Sequence, residues 1–455
     1  MSIEQLMAEQ QAFFRSGATE PLEARRKKLK ALRDAVRKYE GALLEALRRD
    51  LNKSAFEAVS TELLLVMAEL RHTLKHLGKW MRPRRLPTPL THFGGRSFQL
   101  ASPYGAALII APWNYPVQLS LVPLIGAIAA GNTVVLKPSE LTPHVADVLR
   151  ELVQDVFEPG WAATVIGGVE ASERLLAQKF DYIFFTGSVP VGRIVMEAAA
   201  KRLTPVTLEL GGKSPCIVHR DADLKLAAKR IAFGKFTNAG QTCVAPDYVL
   251  IDRAVKEPFL AMLGEAIEAM YGAEPLRSPD YGRIVSRKHY DRLAAMLQGA
   301  TITTGGQLDP ERLAIAPTVL DQVGWDDPAM QEEIFGPLLP VLVYDSLEEA
   351  LAAIGERPKP LALYLFSESR QLQEQVMGRM SFGGGCINDT IMHFGSPYLP
   401  IGGVGESGIG RYHGESSFET FSHVKSILRQ TTRFDLPFRY PGSKWGERIV
   451  RLLSK

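Results

Sequence analysis

The chain has 455 residues, of which 46% are hydrophobic and 23% charged, values typical of a soluble globular protein. Its 53 basic and 50 acidic side chains leave a net charge of +3, so there is no electrostatic argument for nucleic acid or an acidic partner. A chain of this length exceeds one ordinary core, which predicts two large domains. The three cysteines, Cys216, Cys243 and Cys386, cannot all pair, and such low use predicts a reducing, cytoplasmic compartment.

The two ends of the chain show no targeting pattern. Residues 1–10 contain Glu4 and Glu9 and lack an apolar core, so no signal peptide is expected. The uncharged stretch between Arg96 and Lys137 is interrupted by prolines, asparagines and a glycine, and its pieces are too short to span a bilayer. Residues 441–455 are predicted to form a polar, basic tail without a membrane anchor.

The first half of the chain alternates between two kinds of pattern. Residues 20–52 carry leucines at helical spacing, and residues 82–103, rich in Pro, Gly and Arg, predict an extended arm. Strands are predicted at 106–110, 133–136, 163–166 and 182–185, with helices at 118–130, 143–156, 170–177 and 191–201. Strand–helix alternation with short loops is typical of a parallel, doubly wound sheet.

A second alternating half follows residue 210. Helices are predicted near 224–236, 254–270 and 286–298, and strands near Val249, Ile302, Val319, Val341 and Leu363. Residues 381–406 are dense in Gly, Pro and Asn, which predicts a loop packed against a site. The chain is therefore predicted to have an α/β fold with two such halves.

Residues 236–246 form a small-residue segment around Cys243, followed by an apolar run that predicts a strand. Gly240 permits close backbone approach, and the backbone N–H of Cys243 could point at the group that its sulfur attacks. The alternative is that Cys243 is a small buried hydrophobe, as most lone cysteines are. Cys216 lies in an apolar run and is predicted to be core, whereas Cys386 follows three glycines and is expected near the site.

Two polar turns follow predicted strands, at the edge where doubly wound folds bind ligands. Lys137 could donate to a ribose or phosphate, and Glu140 could accept from ribose hydroxyls; a plain polar loop is the alternative. Gly187 and Ser188 lie between a strand and a helix, where a pyrophosphate could bind. The spacing is not G-x-G-x-x-G, so an ordinary tight turn also explains this segment.

Two further residues suggest acyl chemistry. Asn114 lies between two prolines and carries a neutral N–H donor that could stabilise an oxyanion, although turn asparagines are common. Glu209 lies in an otherwise apolar run, where burial would raise its pKa toward that of a general base. The alternative for Glu209 is a structural ion pair with Lys213.

Taken in order, these segments resemble the aldehyde dehydrogenase superfamily over roughly residues 106–421. The motifs that carry the resemblance are Pro-Trp-Asn at 112–114, Lys-Pro-Ser-Glu at 137–140, Phe-Thr-Gly-Ser at 185–188, Leu-Glu-Leu-Gly-Gly-Lys at 208–213, Gly-Gln-Thr-Cys at 240–243 and Glu-Glu-Ile-Phe-Gly-Pro at 332–337. The short region before the first sheet strand and the ending at 438–441 look like the dimeric class 3 branch, some members of which carry a membrane anchor.

The resemblance implies a role for each matching position. The catalytic residues would be the nucleophile Cys243, the general base Glu209 and the oxyanion donor Asn114. The cofactor-binding residues would be Trp113, Lys137, Glu140, Gly187, Ser188, Glu333 and Phe335. The residues at an apolar substrate entrance would be Trp113, Tyr115, Leu119 and Phe394. No metal is expected, because the nine histidines are scattered and no ligand cluster at metal spacing occurs.

The implied architecture is an aldehyde dehydrogenase-like α/β fold with a small β arm for oligomerisation. The cofactor-binding domain would comprise residues 1–81 and 104–209, and the catalytic domain residues 210–405. The arm would comprise residues 82–103 and 406–440, and the tail residues 441–455. A homodimer is expected from this branch.

The implied function is NAD(P)-dependent oxidation of an aldehyde to a carboxylic acid through a thiohemiacetal and a thioester on the cysteine. The substrate is expected to be apolar, either aromatic or of medium chain length. NAD is the expected cofactor, with NADP tolerated in this branch. One alternative is a relative that transfers the acyl group to coenzyme A, but those branches usually lack a glutamate at position 209. The other is a catalytically silent structural protein, against which the intact Cys243, Glu209 and Asn114 argue.

Overall fold

The structure is a computed structural model and describes residues 1–453. Its helices, in chain order, are α1 (Ile3–Arg15), α2 (Leu22–Lys38), α3 (Glu40–Leu51), α4 (Ala55–Ala58), α5 (Leu64–Trp80), α6 (Gln118–Ala130), α7 (Pro143–Val156), α8 (Val169–Leu176), α9 (Val189–Ala200), α10 (Leu224–Phe236), α11 (Lys256–Tyr271), α12 (Arg287–Ala295), α13 (Pro328–Gln331), α14 (Leu347–Gly355), α15 (Arg370–Arg379), α16 (Glu415–Thr420) and α17 (Gly446–Leu453). A π-helical turn, Val59–Leu63, joins α4 to α5.

The strands are β1 (Arg84–Leu86), β2 (Arg96–Pro103), β3 (Ala106–Ile110), β4 (Thr133–Lys137), β5 (Ala162–Thr164), β6 (Tyr182–Thr186), β7 (Val206–Glu209), β8 (Pro215–Val218), β9 (Tyr248–Asp252), β10 (Thr301–Thr304), β11 (Leu308–Asp309), β12 (Ala314–Ile315), β13 (Thr318–Asp321), β14 (Leu338–Tyr344), β15 (Ala362–Phe366), β16 (Gly384–Ile387), β17 (Gly408–Ile409) and β18 (Ser422–Arg429). They form two large sheets, a three-stranded sheet and a two-stranded hairpin.

The first large sheet has the strand order β17-β7-β6-β3-β4-β5, with every pair parallel except β17 with β7. Along β3, Ala107 and Ile109 pack into the core built with α5, α6 and α7. Leu108 and Ile110 point to the opposite face, where α1, α8 and α9 pack. Because both faces are covered, the strand is apolar at every position rather than alternating. The predicted doubly wound sheet is confirmed.

The second large sheet has the order β10-β13-β14-β9-β8-β15-β16, parallel throughout except for β10. Helices α10 and α11 cover one face, and α14 and α15 cover the other. The second predicted half is therefore also confirmed. The loop before β9, which holds Cys243, lies at the amino edge of this sheet.

The three-stranded sheet is antiparallel, with β2 between β1 and β18. Its longest pairing runs from Ser422 opposite Pro103 to Arg429 opposite Arg96, which joins the two segments predicted as an arm. Residues 406–440 contribute β18 to this sheet and also β17 to the first large sheet.

The helical spacing predicted over residues 20–52 corresponds to two helices, because the chain leaves helical geometry at Tyr39. One prediction needs correction. The loop predicted at 381–406 contains β16, which pairs in parallel with β15. A side-chain carbon at Gly385 would lie 2.0 Å from the carbonyl oxygen of Leu363, so this strand needs a glycine for close packing. The glycines that suggested a loop are therefore required by a tightly packed edge strand.

Within residues 1–453 no helix is both long enough and apolar enough to cross a bilayer. The uncharged stretch between Arg96 and Lys137 begins in β2, which is only partly buried, and continues through β3, α6 and most of β4, which are buried. The predicted strand–helix–strand unit is confirmed at this place in the chain.

Candidate active site

A cavity of about 590 Å³ lies between the carboxyl edge of the first large sheet and the amino edge of the second. It collects eight of the thirteen residues singled out in the sequence, namely Trp113, Asn114, Gly187, Ser188, Glu209, Cys243, Glu333 and Phe335. Five of these residues follow or end strands of the first sheet, at the carboxyl edge where parallel α/β sheets bind ligands, whereas Cys243, Glu333 and Phe335 lie in loops that precede strands of the second sheet.

The other five predicted residues lie outside the lining of this cavity. Lys137 ends β4, and its Nζ donates to Glu140 Oε2 at 2.8 Å. Tyr115 and Leu119 are buried in the core. Phe394 is half-buried and contacts the His413 ring edge-on, with 5.2 Å between the ring centroids. The structure thus does not bring Tyr115, Leu119 and Phe394 into the lining of the cavity that holds Cys243.

The Cys243 loop, residues 237–243, which is the predicted nucleophile loop, has an unusual backbone. Asn238 and Ala239 have φ values of 55° and 51°, and Gly240 has a φ of +74°. A side-chain carbon at Gly240 would lie 2.2 Å from the carbonyl oxygen of Gly336, so only glycine fits there. The Gln241 side chain ties this loop to residues 283–285. Its Nε2 donates to the carbonyl of Arg283 at 2.9 Å, and its Oε1 accepts from the backbone N–H of Val285.

The Cys243 thiol is partly buried and faces the cavity. Burial raises the pKa of the thiol to about 12, and the negative charges of Glu333 and Glu209 act in the same direction. The backbone N–H groups of Cys243 and Val244 oppose this by donating to the sulfur. The thiol is therefore protonated at neutral pH in the protein alone and needs help to ionise.

Glu209 is 3% exposed at the end of β7, and within residues 1–453 neither of its carboxylate oxygens has a hydrogen-bond partner. Burial raises the pKa of Glu209 well above its ordinary value. The proposed ion pair with Lys213 is wrong: Lys213 donates to the Asp247 carboxylate and to the carbonyls of Ala329 and Glu332. A carboxyl group at a cavity without a partner is available to a reacting molecule.

Asn114 is 2% exposed, and its Nδ2 donates to the carbonyl oxygen of Gln241 at 3.1 Å. An amide nitrogen carries two hydrogens, so one remains for a ligand. Asn114 is itself held by its own carbonyl, which accepts from Asn238 Nδ2 at 2.8 Å. The donor is thus anchored to the segment that carries the thiol.

Glu333 lies against Gly211, where a side-chain carbon would be 2.2 Å from Glu333 Oε2. Burial and the charge of Asp247 raise the pKa of Glu333 to about 8, opposed by the backbone N–H of Gly212 and the cations Lys213 and Lys235. Two residues later, Phe335 has a φ of 48° and meets the Trp113 ring edge-on, with 5.3 Å between centroids. These groups form one wall of the cavity.

The residues present fit a dinucleotide. Ser188 is the N-cap of α9 but makes no side-chain capping bond, so the first backbone N–H groups are not occupied by it. Gly187 precedes it at the cavity wall. An anionic pyrophosphate suits such a helix start, and the carboxylate of Glu333 suits ribose hydroxyls.

A family model described as the aldehyde dehydrogenase family matches residues 1–427. The chain belongs to the aldehyde dehydrogenase family. It is 48% identical over 455 residues to 4,4'-diaponeurosporen-aldehyde dehydrogenase from Staphylococcus aureus (strain NCTC 8325 / PS 47), covering 100% of this chain and 99% of the relative. It is 47% identical over 430 residues to human aldehyde dehydrogenase family 3 member B1, covering 94% and 92%.

Solved structures confirm that this aldehyde dehydrogenase has the fold of its family. The structure described as the substrate-bound state of Staphylococcus aureus AldH superposes with a TM-score of 0.98 at 48% identity, over 100% of both chains. An indole-3-acetaldehyde dehydrogenase in complex with NAD+ gives 0.86 at 26% identity, over 94% of this chain and 88% of the other. Family membership and the NAD-bound neighbour support the use of NAD(P).

The polar residues that the sequence alone missed include one in the cavity lining and a pair beneath it. His289 lines the cavity, 5.4 Å from the Trp113 ring between centroids. Lys53 and Glu62 form a fully buried ion pair beneath the Asn114 segment. The signal for Glu62 was its helical spacing with the apolar residues Val66 and Leu70, which placed a carboxylate on a core-facing side.

Proposed function

We propose that this aldehyde dehydrogenase converts an apolar aldehyde to its carboxylic acid through covalent intermediates on Cys243. The proposal is carried by one observation. A thiol, an unpartnered buried carboxyl group and an anchored amide donor line the same cavity, as Cys243, Glu209 and Asn114. Nucleophile, base and oxyanion donor are the three groups that acyl chemistry through a thioester requires.

In the first step the Cys243 sulfur bonds to the aldehyde carbon while the thiol proton passes to solvent. The carbonyl oxygen becomes an oxyanion, which accepts hydrogen bonds from Asn114 Nδ2 and from the backbone N–H of Cys243. Because Asn114 is already anchored to Gln241, its free N–H is oriented before the charge develops. Pre-oriented donors stabilise a transition state without having to reorganise.

When bound, NAD supplies the hydride acceptor for this adduct. The residues that would hold it are Gly187 and Ser188 at the pyrophosphate, Lys137 and Glu140 at the adenosine ribose, Glu333 at the second ribose, and Phe335 with Trp113 beside the ring. Glu140 is proposed to favour NAD over NADP, because its carboxylate would repel a 2′-phosphate.

In the last step Glu209 removes a proton from a water molecule that attacks the thioester. The raised pKa of Glu209 suits a base, since a carboxylate in an apolar setting takes up a proton more readily than one in water. The same oxyanion donors stabilise the tetrahedral intermediate that this attack forms. The carboxylic acid then leaves, and the sulfur of Cys243 regains a proton.

The substrate is proposed to be an apolar aldehyde, aromatic or of medium chain length. The predicted entrance residues Tyr115, Leu119 and Phe394 lie outside the lining of the cavity that holds Cys243 and do not carry this proposal. The relatives are named for 4,4'-diaponeurosporen-aldehyde and for indole-3-acetaldehyde, which are different aldehydes. A cytoplasmic location and a homodimer remain predictions of the sequence.

The test is a panel of apolar and charged aldehydes assayed with NAD, with NADP, and with NAD plus coenzyme A. Reduced cofactor is measured by absorbance, and the product is identified by chromatography. The proposal expects the free acid, the highest kcat/KM for apolar aldehydes, and no dependence on coenzyme A. An acyl-coenzyme A product, or no reduction with any aldehyde, would overturn it.

A further inference from the structure

Lys53 and Glu62 form an ion pair that is sealed from solvent. Lys53 lies between α3 and α4, and Glu62 lies in the π-helical turn before α5. Their side chains are both 0% exposed, and Lys53 Nζ lies 2.6 Å from Glu62 Oε1. Neither residue lines the cavity around Cys243. A buried pair is weak evidence for stability, because desolvation offsets much of its attraction, so its other contacts decide what it does.

The lysine makes two contacts with the segment that holds the oxyanion donor. Lys53 Nζ donates to the backbone carbonyl of Asn114 at 3.0 Å. It also lies 4.0 Å from the centroid of the Tyr115 ring, within cation–π range. The carbonyl of Asn114 accepts a second hydrogen bond from the Asn238 side chain in the nucleophile loop. Lys53 therefore fixes the backbone from which the Asn114 side chain projects.

The glutamate holds the other end of the same segment. Glu62 Oε2 accepts from the backbone N–H groups of Val117 at 2.8 Å and Gln118 at 3.1 Å, where α6 begins. Its Oε1 accepts from Lys53. The pair thus attaches to residues 114–118 at a carbonyl near one end and at two N–H groups near the other. The ion pair therefore holds the backbone on both sides of Tyr115.

This segment is in turn bonded to the loop that carries the nucleophile. Tyr115 Oη and Thr242 Oγ1 share a hydrogen bond of 2.7 Å, one residue before Cys243. Asn114 Nδ2 donates to the carbonyl of Gln241. A shift of residues 114–118 would therefore change the distance between the oxyanion donor and the sulfur. A displacement of about 1 Å in such a constellation costs about a hundredfold in rate.

We propose that Lys53 and Glu62 are positioning residues that hold Asn114 and the Cys243 loop in register for the oxyanion-forming step. The inference rests on the role of Asn114 proposed above. Lys53 and Glu62 touch neither the substrate nor the cofactor. Their effect passes through the Asn114 carbonyl and the start of α6.

The first experiment compares Lys53→Met with Lys28→Met by rapid-mixing measurement of the burst of reduced cofactor. Lys28 is the matched control, because its Nζ likewise bridges an N-terminal helix to a backbone carbonyl, that of Val156, and to a carboxylate, Glu158. Lys53→Met should slow the burst by about tenfold to a hundredfold while the KM for NAD is unchanged. Lys28→Met should leave the burst unchanged. A normal burst in Lys53→Met, or an equal loss in Lys28→Met, would overturn the proposal.

The second experiment separates positioning from charge balance. Lys53→Met alone leaves Glu62 as a lone buried charge, which lowers stability. The double variant Lys53→Met/Glu62→Met has no lone charge and should therefore melt at a higher temperature than the single variant. Its burst should stay slow, because the Asn114 carbonyl still lacks the hydrogen bond from Lys53. A normal burst in the double variant would show that the Lys53–Glu62 pair has only a structural role. If the single variant fails to fold, this double variant carries the test.

The third experiment is a double-mutant cycle with Asn114→Ala. If Lys53 acts through Asn114, Lys53→Met should slow the burst less than about twofold in the Asn114→Ala background. Fully additive effects would overturn the inference. An unchanged burst in Asn114→Ala alone would instead remove the proposed role of Asn114. A slow Asn114→Ala together with a normal Lys53→Met would remove only the role of the pair.

Discussion

Lys213 donates to the carboxylate of Asp247, whereas Glu209, four residues earlier in the chain, keeps both carboxylate oxygens unpartnered within residues 1–453. Asp247 is also bonded by the backbone N–H of Ile334, so Lys213 and Asp247 tie the Glu333 segment to the start of β9. The cation nearest to Glu209 in sequence is thereby used elsewhere. Glu209 is left with a raised pKa and a free position at the cavity.

Glu209→Gln should separate hydride release from hydrolysis. A neutral amide is a far weaker base than a carboxylate, so the variant should still show a burst of reduced cofactor near one per active site, followed by slow turnover. Mass spectrometry of quenched enzyme should find the acyl group on the peptide that contains Cys243. Glu69→Gln is the matched control, because Glu69 is a buried glutamate with a pKa raised to about 7 outside the cavity lining. If Glu209→Gln loses the burst and accumulates no acyl-enzyme, Glu209 acts earlier, for example in ionising the thiol.

Cys243→Ser should abolish aldehyde oxidation and leave cofactor binding intact, because the hydroxyl is a much weaker nucleophile than the thiolate. Cys386→Ser is the matched control: Cys386 is also partly buried, and its sulfur lies 3.4 Å from His393 Nδ1 rather than at the cavity. Cys216 is buried in the core, as predicted. Activity is measured by absorbance and cofactor binding by calorimetry. Loss of oxidation in Cys386→Ser with retention in Cys243→Ser would reverse the assignment.

Cofactor preference should depend on Glu140. Burial raises the pKa of this carboxyl, but the hydrogen bond from Lys137, the backbone N–H of Glu140 and the charge of Lys137 together outweigh burial and lower the pKa, so Glu140 is charged at neutral pH. A charged carboxylate beside the adenosine ribose should disfavour the 2′-phosphate of NADP and give NAD the higher kcat/KM. Glu140→Gln should reduce that ratio. Equal kcat/KM for both cofactors in the unaltered enzyme would remove the argument, and an unchanged ratio in the variant would show that another residue discriminates.

The ionisation of Cys243 should respond to Glu333. Because the thiol pKa is raised to about 12, its alkylation by iodoacetamide without cofactor should accelerate by about tenfold per pH unit up to alkaline pH. Glu333, whose own pKa is raised to about 8, is neutral below that pH and repels the thiolate only above it. Glu333→Gln removes that repulsion and lowers the thiol pKa. The variant should therefore react faster than the parent above about pH 8 and equally fast well below it.

This measurement uses a Cys216→Ser/Cys386→Ser background so that only Cys243 reacts. A rate that levels off near neutral pH would contradict the raised thiol pKa. Equal rates for the parent and Glu333→Gln in alkaline buffer would show that Glu333 does not act on the sulfur.

Many elements could be predicted from the sequence because their ends carry local signals. Helix α6 ends at Ala130, just before Gly131, whose φ of 95° suits glycine, and α7 begins with Pro143, which suits the first helical position. Both helices were predicted with their observed ends. Strand β16 was missed because its glycines are required by a neighbouring backbone that is distant in sequence.

The sequence by itself determined the fold class, the family and eight of the residues that line the cavity, because short motifs occur in a fixed order beside strands and each motif carries its chemistry locally. The tertiary structure alone decided which charges meet. Lys53 reaches the carbonyl of Asn114 across 61 residues, and Lys213 pairs with Asp247 rather than Glu209. A buried charge takes whatever partner the packed helices and loops bring within hydrogen-bonding distance, and sequence separation does not encode that distance.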